Sequence, residues 1–316
     1  MKTENLKRVL VTGGAGFIGS HTVDLLLSQG FAVRVLDNFS NGKQTNLNAE
    51  AIADGRLTRL EGDVRDIQHV ETAAVSMDAV LHLAAQVSVP RSVADPVESS
   101  THNIAGFLNV LDAVRRHKIP RLVYASSAAV YGVPEALPLT EANTAKPQSP
   151  YGLEKFINDQ YAALYRELYG VSSVGMRYFN VYGPRQDPQS PYAGVISKFA
   201  EGLETGRALR VFGDGSQTRD FVYVGDVARA NALALQADVM GVLNVGTGTS
   251  VTLLELIDAM KKAFDKPAVV NHEATATGDI AHSATSPARL VQTLSWQPET
   301  SFVQGLRALA ESLRKS

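Results

Sequence analysis

Two side chains in the stretch S-P-Y-G-L-E-K-F have the types and spacing that acid–base chemistry requires. Tyr151 and Lys155 stand four positions apart at the start of a predicted helix, so both project from one helix face. An ammonium group beside a phenol favours the phenolate and lowers the pKa of the phenol from about 10 towards neutrality. A tyrosine tuned in this way can accept a proton from a substrate hydroxyl. Taken alone, the pair also fits a solvated lysine packed beside a tyrosine.

A second candidate lies upstream, in Y-A-S-S-A-A-V-Y-G, residues 124–132. A predicted strand ends here with two hydroxyl side chains, followed by two small apolar ones. Ser126 or Ser127 could therefore hydrogen-bond a reacting hydroxyl, whereas Ala128 and Ala129 can transfer no proton.

A glycine-rich turn precedes both features, in V-T-G-G-A-G-F-I-G-S. Gly13, Gly16 and Gly19 follow the first predicted strand and open the first predicted helix. Such glycines permit a tight turn and a close approach to a pyrophosphate, which the N-terminus of the helix attracts. Asp37 ends the second predicted strand, where a carboxylate accepts both hydroxyls of an adenosine ribose and repels a 2′-phosphate. The pattern predicts a bound dinucleotide, NAD rather than NADP.

Asp63, in E-G-D-V-R-D, ends the third predicted strand. A contact to the adenine of the cofactor and the N-cap of the next helix are equally consistent with this position, and both readings stay open.

The elements that must position these residues alternate along the first half of the chain. Short β-branched runs predict strands, and longer amphipathic stretches between them predict helices; such alternation indicates βαβ units. We expect a Rossmann-type doubly wound parallel sheet over residues 1–177, and a smaller C-terminal α/β substrate-binding domain over 178–316 with segments free to cross back. The predicted strands are 8–12, 32–37, 57–61, 79–84, 121–126 and 173–178, and the predicted helices are 17–29, 67–75, 97–117, 150–169, 193–205, 225–237, 252–264 and 301–314.

Bulk composition excludes several functional classes. The 316 residues are 45% hydrophobic and 20% charged, with a net charge of −2, which gives no electrostatic reason to expect nucleic acid or an anionic membrane as partner. Because the sequence contains no cysteine, disulfides, thiolate catalysis and cysteine-ligated zinc are excluded, and no metal is expected. We expect a cytoplasmic protein without a signal peptide or membrane span.

Taken together, the quoted motifs and R-Y-F-N-V-Y-G-P-R-Q resemble the extended short-chain dehydrogenase/reductases, and within them the UDP-hexose 4-epimerases. The likeness runs from Val9 to Trp296. It implies that Tyr151 is the catalytic base, that Lys155 binds the nicotinamide ribose and tunes Tyr151, and that Ser127, not Ser126, hydrogen-bonds the sugar hydroxyl. It also implies tightly bound NAD with further contacts from Phe17, Ile18, Asn38, Val64, Leu83, Ala84, Ala85, Asn103 and Tyr178.

The same resemblance implies a UDP-sugar substrate held mainly by the C-terminal part. Its matching positions are Ser88, Ser127, Asn180, Phe212, Arg219, Asp279 and Ser283, with Phe212 stacking on uracil and Arg219 binding the diphosphate. From the residues alone, Asn180 could instead cap a turn, Phe212 could pack in the core, and Arg219 could be a surface charge.

Two positions bear on the substrate in particular. Ser283 matches the position that gates sugar size in this family, where a small residue leaves room for an N-acetyl group. With S-V-P-R-S at 88–92 and R-Q-D-P at 185–188, it favours UDP-GlcNAc and UDP-GalNAc. Ala276 departs from the family, because many relatives carry a diphosphate-binding arginine there.

Other functions stay open at the level of the sequence. The second enzyme reading is an NAD-dependent dehydratase or reductase that acts on a nucleotide sugar. Related dehydratases and decarboxylases share the first oxidation, but dehydratases carry acidic residues where Ala128 and Ala129 stand. A dinucleotide sensor without chemistry would have no need of Ser127, Tyr151 and Lys155 together. The helices at 97–117 and 150–169 match those that pair in homodimers of the family, although they could also simply cover the sheet.

Overall fold

The computed structural model describes residues 7–187, 194–274 and 280–314. Within these ranges the strands are β1 (Arg8–Thr12), β2 (Ala32–Asp37), β3 (Leu57–Glu61), β4 (Ala79–His82), β5 (Leu122–Ser127), β6 (Ser173–Tyr178), β7 (Asn180–Tyr182), β8 (Leu209–Phe212), β9 (Thr218–Tyr223), β10 (Gly241–Val245), β11 (Ser250–Thr252) and β12 (Val270–Glu273).

The α-helices of the described residues alternate with these strands. They are α1 (Phe17–Ser28), α2 (Ala49–Ala53), α3 (Ile67–Ala74), α4 (Val89–Ala94), α5 (Pro96–Ser100), α6 (Gly106–Arg116), α7 (Pro150–Tyr169), α8 (Val195–Thr205), α9 (Val224–Gln236), α10 (Leu253–Phe264), α11 (Ala288–Leu294) and α12 (Phe302–Arg314). A π-helical turn, Thr101–Ala105, joins α5 to α6, so the predicted helix over 97–117 is continuous in direction but not in its hydrogen bonding.

Seven parallel strands form one sheet in the order β10-β6-β5-β4-β1-β2-β3. The chain runs outward from β1 through β2 and β3, and then returns to the other side of β1 with β4. This reversal opens a crevice beyond the carboxyl ends of β1 and β4, where ligands bind in sheets of this kind. The predicted Rossmann-type fold is confirmed.

Successive side chains of each strand enter different layers because a strand alternates its faces. Val9 and Val11 of β1 join one cluster with residues of α1, α9 and α11, whereas Leu10 joins another with residues of α3, α6 and α7. The sheet is thus covered by helices on both faces, as a parallel sheet requires.

The C-terminal part forms a second, smaller core. A three-stranded sheet (β11-β9-β7) and a two-stranded sheet (β12-β8) pack with α8, α10 and α12. Three elements beyond residue 178 return to the large sheet, since β10 pairs with β6 while α9 and α11 cover one face. The boundary that we propose between residues 177 and 178 therefore separates the two parts except for these returning elements.

None of the helices in the described ranges is long and apolar enough to cross a membrane.

A buried polar network fastens α7 to the strands beneath it. Arg177 of β6 and Asp159 of α7 form an ion pair of 3.0 Å with side chains 7% and 3% exposed. The hydroxyl of Tyr124 donates to Asp159 at 3.1 Å, and Arg177 donates to the hydroxyl of Tyr131 at 2.9 Å. Tyr131 in turn donates to Asn244 of β10 at 2.6 Å. The network fixes the orientation of α7 across three strands.

Removing one partner of this pair tests how strongly α7 is held. We expect Asp159→Ala to lower the free energy of unfolding by about 3–5 kcal/mol, because the guanidinium of Arg177 would stay buried without its counter-ion. The half-buried carboxylate of Asp112, which pairs with the more exposed Arg115 and Arg116, provides the control: Asp112→Ala should cost less than about 1 kcal/mol. Urea unfolding measures both variants, and equal losses would contradict this view of the network.

Candidate active site

The glycine-rich turn lies at the crevice beyond β1. Gly13 has φ +70°, and a Cβ there would lie 2.7 Å from the backbone nitrogen of Ala84. A Cβ on Gly19 would lie 2.1 Å from the carbonyl oxygen of Gly13. Helix α1 begins after Gly16, whose position has no side-chain cap among the described residues. The first-turn N–H groups of α1 are thus suited to a pyrophosphate.

Asp37 lies beside this turn at the end of β2 and is 7% exposed. Its carboxylate accepts hydrogen bonds from the backbone N–H groups of Ala15 and Phe39, both at 2.9 Å. Burial raises the pKa of Asp37, and these two bonds act in the opposite direction. Because each carboxylate oxygen has a second lone pair, Asp37 can still accept the hydroxyls of a ribose. The glycine turn and the carboxylate of Asp37 therefore fit NAD.

Asp63 is joined to the same edge of the sheet by Asn38, whose amide donates to it at 2.8 Å. Arg65 donates to both oxygens of Asp63, and this contact holds the pKa of Asp63 well below its usual range. The helix-capping alternative for Asp63 is wrong, because Asp66 caps α3 by accepting from the N–H of Gln68 at 2.8 Å.

The segment that follows β4 lies against the glycine turn. The strand ends at His82, two residues before its predicted end, and Leu83, Ala84 and Ala85 are half-buried. Thr12 fixes this segment, since its carbonyl accepts from the N–H of Leu83 at 3.0 Å and its hydroxyl from that of Ala84 at 3.3 Å. The structure therefore brings three predicted cofactor contacts next to Gly13.

Asn103 lies in the π-helical turn between α5 and α6 and is 1% exposed. Its amide donates to the carbonyl of Gln86 at 2.8 Å and accepts from the N–H of Gln86 at 2.9 Å. The same amide nitrogen donates to Glu154 of α7 at 2.6 Å. Asn103 thus connects the segment after β4 to the helix that carries Tyr151.

Ser127, Tyr151 and Lys155 converge at the carboxyl end of β5. Helix α7 begins with Ser149 as its N-cap, and a Cβ on Gly152 would lie only 2.6 Å from the carbonyl oxygen of Ala129. This close approach brings the Tyr151 phenol near the Ser127 hydroxyl. Lys155 donates to the carbonyl of Ala125 at 3.1 Å, and its nitrogen lies 5.9 Å from the centre of the Tyr151 ring.

Burial dominates the electrostatics of this group. It raises the pKa of Tyr151, and the charge of Glu154 adds to the rise while the hydrogen bond with Ser127 opposes it. Burial lowers the pKa of Lys155 to about 8, against the charges of Glu154 and Asp159. In the protein as described the pKa of Tyr151 is shifted upward, with desolvation of the phenol as the largest cause. The tuning of Tyr151 by Lys155 stays a prediction.

The remaining predicted cofactor contacts are more dispersed. Val64 is buried against Gly106, and Phe17 packs edge-on against His21. Ile18 packs against the cluster under the sheet. Tyr178 directs its hydroxyl to Asn231 of α9 at 2.7 Å, so this hydroxyl already has a protein partner.

The predicted substrate contacts fall into two groups. Ser88 is the N-cap of α4 and accepts from the N–H of Arg91 at 3.0 Å. Helix α4 lies close to Tyr151, because Ser92 of that helix accepts from the N–H of Tyr151. In the C-terminal part, Asn180 begins β7 and donates to the carbonyl of Asp220 at 2.9 Å. The turn-capping alternative for Asn180 is therefore wrong.

Phe212 and Arg219 lie on neighbouring elements of the C-terminal part. Phe212 is 40% exposed with the guanidinium of Arg210 over its ring at 5.7 Å, so the core-packing alternative for Phe212 is wrong. Arg219 is half-buried in β9 and donates to the carbonyl of Thr218 at 2.9 Å. Asp279 and Ala276 lie outside the described residues.

The segment that carries Ser283 is held at both ends. Ser283 donates its N–H to Thr218 at 3.1 Å, and the following Ala284 accepts from the N–H of Leu139 at 2.9 Å. Leu139 belongs to the chain that leaves Ser127. The half-buried Ser283 is therefore tied to β9 and, through Ala284, to Leu139 in the chain that follows β5.

Glu154 is the residue of this group that the sequence reasoning missed. It is 3% exposed and stands between Tyr151 and Lys155 along α7. The signal was present, because a 3.6-residue period places a residue three positions after Tyr151 on the same helix face.

Comparisons with known proteins agree with this geometry. The family described as "NAD dependent epimerase/dehydratase family" matches residues 9–246. A putative UDP-glucose 4-epimerase of Methanocaldococcus jannaschii is 38% identical over 98% of this chain and 99% of its own length.

Two solved structures have the same fold along nearly the whole chain. A UDP-N-acetylglucosamine 4-epimerase of Methanobrevibacter ruminantium, in complex with UDP-N-acetylmuramic acid, superposes with a TM-score of 0.94 at 39% identity over 100% of this chain and 99% of its own. The UDP-glucose 4-epimerase of Thermus thermophilus, in complex with NAD, gives 0.90 at 40% identity over 98% and 99%. The predicted NAD dependence is confirmed, and this chain belongs to the NAD dependent epimerase/dehydratase family, within its UDP-hexose 4-epimerases.

Proposed function

We propose that this protein epimerises a UDP-sugar at C4 with NAD as cofactor, interconverting UDP-GlcNAc and UDP-GalNAc through a transient 4-keto sugar. The observation that carries the proposal is the convergence of Ser127, Tyr151 and Lys155 at the end of β5, on the same edge of the sheet as the glycine turn.

In the proposed mechanism Tyr151 exchanges a proton with O4 of the sugar, and Ser127 orients that hydroxyl. NAD, when bound, supplies a positively charged ring that accepts hydride from C4 and later returns it. The raised pKa of Tyr151 means that the phenol holds its proton at neutral pH. Taking the proton from the alcohol needs positive charge nearby, which Lys155 contributes.

Between the two transfers the 4-keto sugar turns over within the cleft, so that its other face meets the hydride donor. Ala128 and Ala129 follow Ser127 in a short helical turn. Alanine transfers no proton, so these positions offer no acid–base pair for eliminating water across C5 and C6. Return of the hydride is the outcome that this arrangement favours.

We assign the pyrophosphate of NAD to the turn of Gly13, Gly16 and Gly19, and the adenosine ribose to Asp37. Lys155 would hold the nicotinamide ribose with the donors that its bond to Ala125 leaves over. The other cofactor contacts stay proposals at the positions predicted: Phe17, Ile18, Asn38, Asp63, Val64, Leu83, Ala84, Ala85, Asn103, Tyr178.

The choice of acetylated sugars depends on Ser283. Its small side chain leaves room for an acetamide that a tyrosine there would exclude. The structural relative of M. ruminantium, a UDP-N-acetylglucosamine 4-epimerase, supports this choice, whereas the M. jannaschii relative carries the name of a UDP-glucose enzyme. Ser88, Asn180, Phe212, Arg219 and Asp279 stay proposed contacts to the UDP-sugar.

We further propose a homodimer formed through α7. Leu153, Leu164 and Leu168 are 47%, 44% and 61% exposed and lie along one face of that helix, spaced by multiples of about 3.6 residues. A second copy of the chain would cover them.

A cytoplasmic location also stays a proposal.

The gate assignment is tested by changing the size of residue 283. Purified protein without added cofactor should convert UDP-GlcNAc, and Ser283→Tyr should lower kcat/KM for UDP-GlcNAc by about 100-fold or more while UDP-glucose is spared. The matched control Ser283→Ala keeps the pocket open and should leave both values nearly unchanged. Undiminished turnover of UDP-GlcNAc by the tyrosine variant would refute the gate.

Cofactor choice is tested at the end of β2. Because the carboxylate of Asp37 should repel a 2′-phosphate, Asp37→Asn is expected to lower the ratio of NAD to NADP affinity by about tenfold or more. The ratio is measured by restoring activity to cofactor-free protein with each dinucleotide. Asp54→Asn, at an exposed carboxylate paired with Arg56, is the control. A ratio that does not change in the Asp37 variant would rule out the assignment.

A further inference from the structure

A buried carboxylate lies inside the catalytic group without an assigned role. Glu154 is 3% exposed, and its Oε2 atom accepts hydrogen bonds from Ser99 at 2.9 Å and Asn103 at 2.6 Å. Its Oε1 atom is buried without a hydrogen-bond partner among the described residues. Burying a carboxylate is costly unless it is paired, so the position of Glu154 calls for a compensating partner.

Hydrogen bonds connect the buried carboxylate of Glu154 to the segment that follows β4. Through Asn103, Glu154 is connected to the backbone of Gln86 in both directions. The side chain of Gln86 donates to the carbonyl of Ser88 at 3.0 Å and to Ser99 at 3.1 Å. Residues 86–88, which follow the proposed cofactor contacts, are thus held to α7 through one carboxylate oxygen.

The rest of the compensation is electrostatic. Lys155 is 2% exposed and lies over the ring of Tyr151. The charges of Glu154 and Asp159 raise its pKa, and its own charge acts on His82 of β4. Asp159 is already paired with Arg177 from β6. His82 is neutral, because burial lowers its pKa to about 3. Glu154 is therefore the carboxylate left to balance the charge of Lys155.

We propose that Glu154 is a positioning residue that fixes residues 86–88 against α7 and supplies the negative charge that keeps Lys155 an ammonium ion during turnover. The proposal rests on the roles proposed above for Tyr151 and Lys155. It adds a counter-ion to the catalytic group, which makes the charge of Glu154, and not only its shape, part of the site.

Glu154→Gln tests the charge, because glutamine keeps the shape and an acceptor oxygen. Glu154 raises the pKa values of both Lys155 and Tyr151. Removing its charge should therefore lower both pKa values, and both changes move the kcat profile towards lower pH. We expect the alkaline limb of the kcat profile to move to lower pH by about 1–2 pH units. Above that limb, kcat should fall by about tenfold or more.

The matched control is Glu98→Gln, at a carboxylate of α5 that pairs with Arg91 and His102; its profile should coincide with that of the parent. Bound NAD and the thermal unfolding midpoint are measured for each variant. An alkaline limb that stays in place in a folded Glu154→Gln protein would overturn the proposal, since a merely structural residue would lower kcat at every pH alike.

Glu154→Asp keeps the charge on a shorter side chain and decides the matter if the glutamine variant does not fold. The proposal predicts a lower kcat with an alkaline limb within about 0.3 pH units of the parent, and a larger displacement would contradict it.

Tyr151→Phe separates a failure of the proposed mechanism from a failure of the role proposed for Glu154. If it keeps normal turnover, the proposed mechanism fails; if it is inactive with NAD bound while Glu154→Gln has the parent profile, only the role of Glu154 fails.

Discussion

The arrangement of Ser127, Tyr151 and Lys155 depends on how closely α7 approaches the end of β5. A Cβ on Gly152 would lie 2.6 Å from the carbonyl oxygen of Ala129, so almost any other residue would push the helix away from the strand. Tyr151 directly precedes this contact and Lys155 follows it by less than one turn. The buried pair of Arg177 and Asp159 holds the same helix further along. Two contacts of different chemistry thus fix one helix over the carboxyl edge of the sheet.

The same packing explains the electrostatics of the site. A helix pressed against the sheet half-buries a phenol and buries an ammonium and two carboxylates within a few residues of one another. Each of these charged groups is costly to bury alone. Burial raises the pKa of Tyr151 and lowers that of Lys155. Both shifts disfavour the charged forms, so under the proposed mechanism the phenolate of Tyr151 needs positive charge beside it. The same proposal has this one tyrosine act as base and then as acid within a cycle.

How much of this could be predicted from the sequence depended on the range of the interactions involved. The six strands predicted for the sheet lie within two residues of their observed ends, because buried β-branched runs and glycine turns are local signals. Strands β7 to β12 were missed, since most are short and five of them lie outside the regular βαβ alternation. The π-helical turn around Asn103 and the direction of the pKa shift of Tyr151 arise from tertiary packing, which no local pattern encodes. The contact between Asp63 and Asn38 could not be predicted either, because the two residues follow different strands.

The central claim is that hydride leaves C4 and returns to the same carbon while Tyr151 exchanges only the proton on O4. UDP-GlcNAc carrying deuterium at C4 tests it most directly, with the protein in ordinary water and no added cofactor. The expected product is UDP-GalNAc that keeps its deuterium at C4, as read by mass spectrometry and proton NMR. A product whose deuterium has been exchanged for solvent hydrogen would contradict it.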